Sequence, residues 1–562
     1  MQPGCLPLVQ RRSRPFEHCG WGDADMFDAV LSGEVDDLVP RRQRQRASHA
    51  VSVRLYADRP LHRLEQSPPG VASAGDPELE LGDESSAAEQ PDDAGLFEVE
   101  HERLVFGLDN IVTQEKRDHA GGACRAALHR AVVARDRQAA IGSLIHVAIL
   151  TKGCHTRTMS DRQFDLVVFG ATSFVGQILT RRLVERIGID GEVRWAVAGR
   201  SGGKLRQVAA DTGASVEQIV ADAGDADAMR KLAASTRVVA STVGPYALYG
   251  SPLVAAVAAA GTDYCDLTGE AHWMRAMIDA HHDEAAASGA RIVHACGFDS
   301  IPSDLGVWFT QQRAIEQFGR PCSSIALRVK AIKGGASGGT IASGLNLIEE
   351  VRDDPELRKM LANPYALAPA DMRTGPKQPN VTRPQLDSKS GQWVAPFIMA
   401  AANTRVVQRS HALLGRPWGD DFEYDEAMLV GNGPLGAMKA SAVAGGMAGF
   451  AGMAALGPTR KLLGKFLPEP GEGPSVEAQE AGYFDLRLYG ETADGDKIVS
   501  KVTGDRDPGY GSTAKMLAES ALSFLDLDHD QVGGGFWTPA TAFGDALIER
   551  LIEHAGLTFE VL

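Results

Sequence analysis

"FDLVVFGATSFVGQILTRRLVE", residues 164–185, decides the fold. The run "DLVVF" (165–169) is made of strand formers with no polar alternation, as a parallel strand buried on both faces requires. A turn follows, Gly170-Ala171-Thr172-Ser173-Phe174-Val175-Gly176, and then "VGQILTRRLVERIG" with the apolar spacing of a helix. Gly170 permits the tight turn. Gly176 lets the helix approach the strand, and the free N–H groups at the helix start suit a pyrophosphate. Ser173 stands where a second glycine is usual and brings a hydroxyl able to bond a phosphate. All seven residues, 170 to 176, are therefore candidate dinucleotide ligands.

The chain beyond this unit repeats it. "EVRWAVAGRSGGKL" (192–205) ends its strand on Arg200 and Ser201, with no acid there. NAD sites place an Asp or Glu at this point to bond the ribose hydroxyls. A guanidinium and a hydroxyl, assisted by Lys204, suit the 2′-phosphate of NADP instead. "SVEQIVAD" (215–222) reads as the third strand, with Asp222 at the adenine edge. "TRVVASTVGPY" (236–246) reads as the fourth, with Gly244 in the loop at its carboxyl end. "TDYCDLTGE" (262–270) and "ARIVHACGFDSIPSDLG" (290–306) supply further strands and loops. Strand and helix alternate six times, which gives an α/β class with a doubly wound parallel sheet of Rossmann type.

With 562 residues, 44% of them hydrophobic, the chain can hold two or three domains. A net charge of −16 excludes a broad nucleic-acid surface. The seven cysteines show no metal-ligand spacing, so no metal is expected. Their odd number fits reduced thiols in the cytoplasm. The N-terminus has no secretory h-region. Residues 1–158 differ from the rest, with 17 Arg against 2 Lys and an acidic, Pro-rich segment at 67–95. They read as a poorly structured extension. Met159 lies five residues before the first strand, so the expectation is a start at Met159, with a disordered regulatory arm as the alternative.

Residues 159–320 then form the NADP-binding domain and 321–540 an α+β domain for substrate or dimerisation. In the latter, 323–353 reads as strand, glycine-rich turn and helix. Residues 482–505 read as a hairpin about "ADGD", with "STAKMLAESALSFL" packing a helix on it. Residues 438–467 join a run of Gly, Ala and Met to the basic "RKLLGKFL". This is expected to be an apolar flap against a lipid chain or membrane surface, or else a surface loop with an ordinary packed helix. Residues 541–562 form a helix and strand returning to the Rossmann domain.

"VVFGATSFVG", "VAGRS", "VGPYALYGSPLVAAVAAAGTDYCDLTGE" and "GFDSIPSDLG" together resemble the saccharopine dehydrogenase-like oxidoreductases, and within them the actinobacterial trans-acting enoyl reductase branch. "GGTIASGLNLIEE", "AKMLAESALSFL" and "GGFWTPATAFGDALIERL" extend the resemblance over 159–562. It implies an NADP(H)-dependent enzyme that reduces carrier-bound α,β-unsaturated acyl chains for a polyketide synthase, in the making of surface lipids. Ser173 departs from the "GATGFVG" common there.

Enoyl reduction needs a hydride at Cβ, a proton at Cα and a donor to the thioester oxygen. Tyr246, Asp299 and Thr340 are the candidates, with Ser300 nearby. Tyr246 stands first as donor, beside the reading in which its ring only packs. Asp299 with Pro302 and Asp304 also reads as a cap for a helix starting near Ser303. His294 and Cys296 read as core. An imine-reducing amino-acid dehydrogenase is the first rival, with Arg328, Lys330 and Lys333 as its cations. The second is an NADP-binding lipid-surface protein without turnover. A homodimer is a further expectation.

Overall fold

The computed structural model describes residues 162–335, 338–455 and 473–562. The expected extension 1–158, the start at Met159 and positions 456–467 of the apolar flap lie outside them. One-turn helices aside, the first part runs β1 (Phe164–Phe169), α1 (Phe174–Ile187), β2 (Trp195–Gly199), α2 (Gly202–Thr212), β3 (Glu217–Val220), α3 (Ala226–Ser235), β4 (Thr236–Ser241), α4 (Ser251–Ala260), β5 (Asp263–Asp266), α5 (Ala271–Ser288) and β6 (Arg291–Val293). After α6 (Ile301–Phe318) come β7 (Cys322–Lys333), α7 (Gly338–Asp353), α8 (Pro355–Ala362), β8 (Gln385–Leu386), β9 (Trp393–Pro396), α9 (Ala400–Leu413), β10 (Glu423–Gly431) and α10 (Gly433–Ala455). The chain closes with β11 (Tyr483–Thr492), β12 (Lys497–Gly504), α11 (Thr513–Asp526), β13 (Gly535–Trp537), α12 (Gly544–Ala555) and β14 (Leu557–Val561).

The first sheet has the order β13-β6-β5-β4-β1-β2-β3, parallel throughout. It is the Rossmann arrangement with a seventh strand. Both faces of β1 are covered, as its unbroken apolar run demands. Leu166 and Val168 pack with Leu179 and Leu183 of α1 on one side. Val167 and Phe169 pack with Leu232, Val254 and Met274 of α3, α4 and α5 on the other. Each such side chain contributes about 1.5–3 kcal/mol on burial. The strand order reverses between β1 and β4, which opens the crevice where ligands of such sheets bind.

The second sheet is mixed, β14-β12-β11-β7-β10-β9-β8, with β7 and β10 parallel and the other pairs antiparallel. The expected hairpin is β11–β12. Phe484, Leu486 and Leu488 point inward, and Gly495 takes the positive φ that its turn needs. Helix α6 lies on this sheet. A Cβ added at Gly306 would come within 3.2 Å of Leu488 and 3.3 Å of Val502, so a glycine is what allows that approach.

Several expectations are corrected here. Helix α11 packs on α1, β1, β4 and β5 of the first sheet rather than on the hairpin. Its fully buried Glu519 explains the choice, because the carboxylate pairs with Arg186 of α1 at 3.0 Å and Arg550 of α12 at 3.1 Å. Strand β13, from within the range assigned to the second domain, borders β6 in the first sheet. The C-terminal strand β14 does not return to the Rossmann sheet but pairs with β12, although Arg182 of α1 does donate to the His554 carbonyl of α12. Asp304 does not cap α6, whose start at Ser300 has no side-chain cap hydrogen bond. Buried in the first turn of α6, it accepts from Ser410 Oγ at 2.5 Å and Ala540 N at 2.8 Å, and burial pushes its carboxyl up to about 7.

Candidate active site

The β1–α1 turn is a cradle that tolerates no added atom. Gly170 has φ +92°, and a Cβ there would meet Thr242 and Val243 at 2.7 Å. A Cβ on Gly176 would lie 2.1 Å from the Gly170 carbonyl oxygen. Ala171 is fully buried, while Thr172 reaches toward Gly199 at the end of β2. Ser173 does something its sequence position did not disclose. Its Oγ accepts from Gly176 N at 2.9 Å and meets Thr242 Oγ1 at 2.9 Å, and Thr242 in turn donates to the Gly170 carbonyl at 2.9 Å. The hydroxyl expected to bond a phosphate is therefore committed inside the loop, tying the helix start to the end of β4. The amides of Phe174 and Val175 have no acceptor among the described residues and stand at the start of α1, where free N–H groups suit an anion. The cradle fits a dinucleotide.

At the end of β2, Arg200 is exposed and has no partner among the described residues. Ser201 Oγ caps α2, accepting from Lys204 N at 3.4 Å. Asp222 is exposed beyond β3, its Oδ1 accepting from Gly224 N at 2.9 Å. Gly244 is exposed past β4, beside the ring of Tyr246.

Tyr246 is only 4% exposed. Its hydroxyl donates to the Ser241 carbonyl at 3.0 Å and accepts from Leu267 N at 3.4 Å. Burial pushes the phenol well above its usual value, and its two hydrogen bonds make it a strut between the end of β4 and the loop after β5. Its backbone N and that of Ala247 donate to Glu270 at 2.9 and 2.8 Å. Ser343 of α7 donates to the same carboxylate at 2.9 Å. Glu270 thus joins the wall of the second part to the loop after β4. Thr340 stands in α7 as well, but its side chain lies outside the described residues.

Asp299 is the outlying carboxyl of the crevice. It is half-buried, and a Cβ on Gly269 would lie 3.5 Å from its Oδ2 and 3.5 Å from Met399 Cε. No donor or cation among the described residues pairs with it, and burial alone pushes it up to about 6. Neighbouring Ser300 donates to Asn403 Oδ1 at 3.1 Å, part of a buried set with Glu426 and Tyr424. The loop carrying Asp299 is held by Asp266. That carboxylate accepts from Tyr264, Thr268 N and Ala295 N, and meets His294 Nδ1 at 2.7 Å. Ala295 is held at φ +60°, a conformation that costs about 1–2 kcal/mol. Neither Asp266 nor Glu270 was singled out from the sequence, although both stand in "DLTGE" at a strand end, where acids signal a loop that needs anchoring.

Two of the three cations of the imine-reducing alternative are engaged elsewhere. Arg328 is buried between Asp387 at 2.8 Å and Asp425 at 2.9 Å, and Lys330 pairs with Asp485 at 3.2 Å.

No family model matches the chain. A protein of Mycobacterium tuberculosis H37Rv named "putative trans-acting enoyl reductase" is 43% identical over 409 residues, 70% of this chain and 96% of its own length. Proteins named trans-acting enoyl reductase from Mycobacterium bovis BCG and Mycobacterium ulcerans are each 38% identical, with the same two coverages. Among solved structures, apo saccharopine dehydrogenase (L-Glu forming) of Saccharomyces cerevisiae aligns over 71% of this chain and all of its own, at 13% identity and a TM-score of 0.41.

Proposed function

The chain belongs to the family of trans-acting enoyl reductases, and from that premise we propose that it uses NADPH to reduce the α,β double bond of acyl chains held as thioesters on the carrier domain of a partner polyketide synthase. Residues Gly170 to Gly176 hold the pyrophosphate. Arg200 pairs with the 2′-phosphate, helped by the Ser201 hydroxyl. Asp222 borders the adenine, and Gly244 the nicotinamide side. NADPH bound there supplies the hydride that reaches Cβ.

The chain's own chemistry concerns the proton. Hydride at Cβ leaves an enolate, with its charge on the thioester oxygen and Cα waiting for H⁺. The observation that carries the reading is Asp299, a carboxyl that burial pushes up to about 6, beside Gly269 and without a partner among the described residues. It holds a proton where ordinary carboxyls have lost theirs, which is what a general acid near neutral pH requires. After donation its half-buried position lets water restore the proton. Thr340 is the second donor, assigned to the thioester oxygen from the α7 wall. Tyr246 and Glu270 position the loop between them.

No helix of the described residues is long and apolar enough to cross a membrane. We assign the protein to the cytoplasm, with contact at the inner membrane surface through the apolar helix. The test is NADPH oxidation by the full chain when a 2-enoyl thioester on an acyl carrier domain is added, with the product weighed by mass spectrometry. A saturated chain, formed faster with NADPH than NADH, is expected. Arg200→Ala should weaken NADPH by about 10- to 100-fold, the range of a charged hydrogen bond, and leave NADH unchanged. Tight NADPH binding with no saturated product would refute the enoyl assignment.

A further inference from the structure

Helix α10, "GPLGAMKASAVAGGMAGFAGMAA", has one charged residue in 23, Lys439. A helix apolar on every face is ordinarily buried. This one packs against β9, β10 and α7, with Gly436 set close to Trp393, and is then widely exposed until the fully buried Ala454. From Ser441 to Met453 no residue is fully buried. Met438 is 63% exposed, Met453 45% and Phe450 37%. A Cβ added at Gly445, Gly446, Gly449 or Gly452 would meet nothing within 4 Å. The six consecutive residues Ala448 to Met453 are all exposed, and at about 3.6 residues per turn that is more than once round the helix.

Apolar surface of this extent marks an interaction site. Exposure on one side would suit a second copy or a single acyl chain lying in a groove. Exposure right round suits a phase that surrounds the helix, and lipid is such a phase. Charge then selects the lipid. From Ala427 to Pro468 there is no Asp or Glu, while Lys439, Arg460, Lys461 and Lys465 are all cationic, in a chain whose net charge is −16. In an acidic protein, an acid-free basic stretch that also carries an exposed apolar helix is suited to an anionic surface.

We propose that α10 docks the enzyme on an anionic bilayer, with Phe450 and Met453 entering the boundary between headgroups and acyl chains and Lys439 at the lipid phosphates. The inference rests on the proposed function in one respect: the acyl chains assigned to the active site are apolar, and docking at a lipid surface suits an enzyme that handles them.

The full chain is to be sedimented with vesicles of phosphatidylcholine alone and of phosphatidylcholine mixed with phosphatidylglycerol. Phe450→Ser/Met453→Ser and Lys439→Glu are compared with the natural sequence, and each protein is also assayed on a short, soluble 2-enoyl thioester. The expected result is binding to the anionic vesicles, weakened by salt. It should fall about tenfold or more in the double variant and about fivefold or more in Lys439→Glu, with turnover of the soluble thioester unchanged. No binding to anionic vesicles, or equal binding to both kinds, overturns the proposal. So does a natural-sequence dimer that the double variant splits without changing vesicle binding, or a carrier-domain complex that it abolishes in the same way. Vesicle binding as expected from a protein that reduces no enoyl thioester supports the docking and sinks the enoyl assignment alone.

Discussion

Changing Asp299 to Asn separates two properties of one carboxyl, the proton it stores and the unpaired charge it leaves when that proton departs. Burial raises this group from 3.8 to about 6. At about 1.4 kcal/mol for each tenfold in proton affinity, the difference is about 3 kcal/mol. The folded-state value is the raised one. The stabilisation is therefore complete below about pH 4, where the acid is neutral folded and unfolded, and is lost as pH rises through about 6. An amide of nearly the same shape carries no charge at either pH. Urea melts of Asp299→Asn and the natural sequence should thus agree near pH 4. Near pH 8 the variant should be the more stable, by about 1 to 3 kcal/mol, the lower figure allowing for the carboxylate's partial access to water. The other titrating groups, Asp304 among them, are common to both proteins and cancel in the comparison. Turnover should move the opposite way. With a 2-enoyl thioester and NADPH, kcat should fall by about 10²–10⁴, the usual worth of a positioned acid, with KM little changed. The decline of kcat in the natural sequence as pH rises past about 6 should be missing from the variant. A variant less stable than the natural sequence at pH 8, or one of undiminished turnover, would refute the reasoning, since either result means that the carboxylate has a partner and stores no useful proton.

Tyr246→Phe removes a hydroxyl whose partners among the described residues are Ser241 and Leu267, so kcat should stay within about twofold while stability drops by about 1 kcal/mol; a hundredfold loss of kcat would restore the tyrosine as donor. Gly176→Ala forces a methyl against the Gly170 carbonyl, and calorimetric titration should show NADPH affinity lowered by about a hundredfold or more as the turn opens. Glu519→Gln leaves Arg186 and Arg550 facing an amide in the core. It should cost about 3–5 kcal/mol, read as an earlier thermal unfolding with NADPH affinity retained.

What the sequence made legible is what local chemistry decides. The buried run of β1, the glycine turn, the repeated alternation of strand and helix and the β11–β12 hairpin each announce themselves within a dozen residues. Long-range partners do not. Strand β13 is three residues long, too short for any period, and its place beside β6 depends on residues far away in the chain. The Ser173 hydroxyl looked available because its acceptor, Thr242, lies 69 residues on. Arg328 sits in an alternating strand with Lys330, and nothing local marks it as buried. Asp387 and Asp425, which bury it, come from a loop and from a strand reached only by a long crossover. For Asp299 the type and position were readable, and the missing partner was not, because a missing partner is a property of the whole surroundings.

The seventh strand of the first sheet also governs the order in which a ribosome can finish the molecule. Strands β1 to β6 emerge early, but Arg291 in β6 waits for the carbonyls of Phe524 and Leu527, the latter 236 residues later. Until β13 follows, β6 is an open edge. The loop that carries Asp299 leaves directly from that edge. While residues 294–534 are being made, the nascent chain therefore has the β1–α1 turn but not the strand that borders β6. A piece cut after the Rossmann stretch would keep that edge open permanently, with Arg291 still paired to Asp263 but without the carbonyls of Phe524 and Leu527.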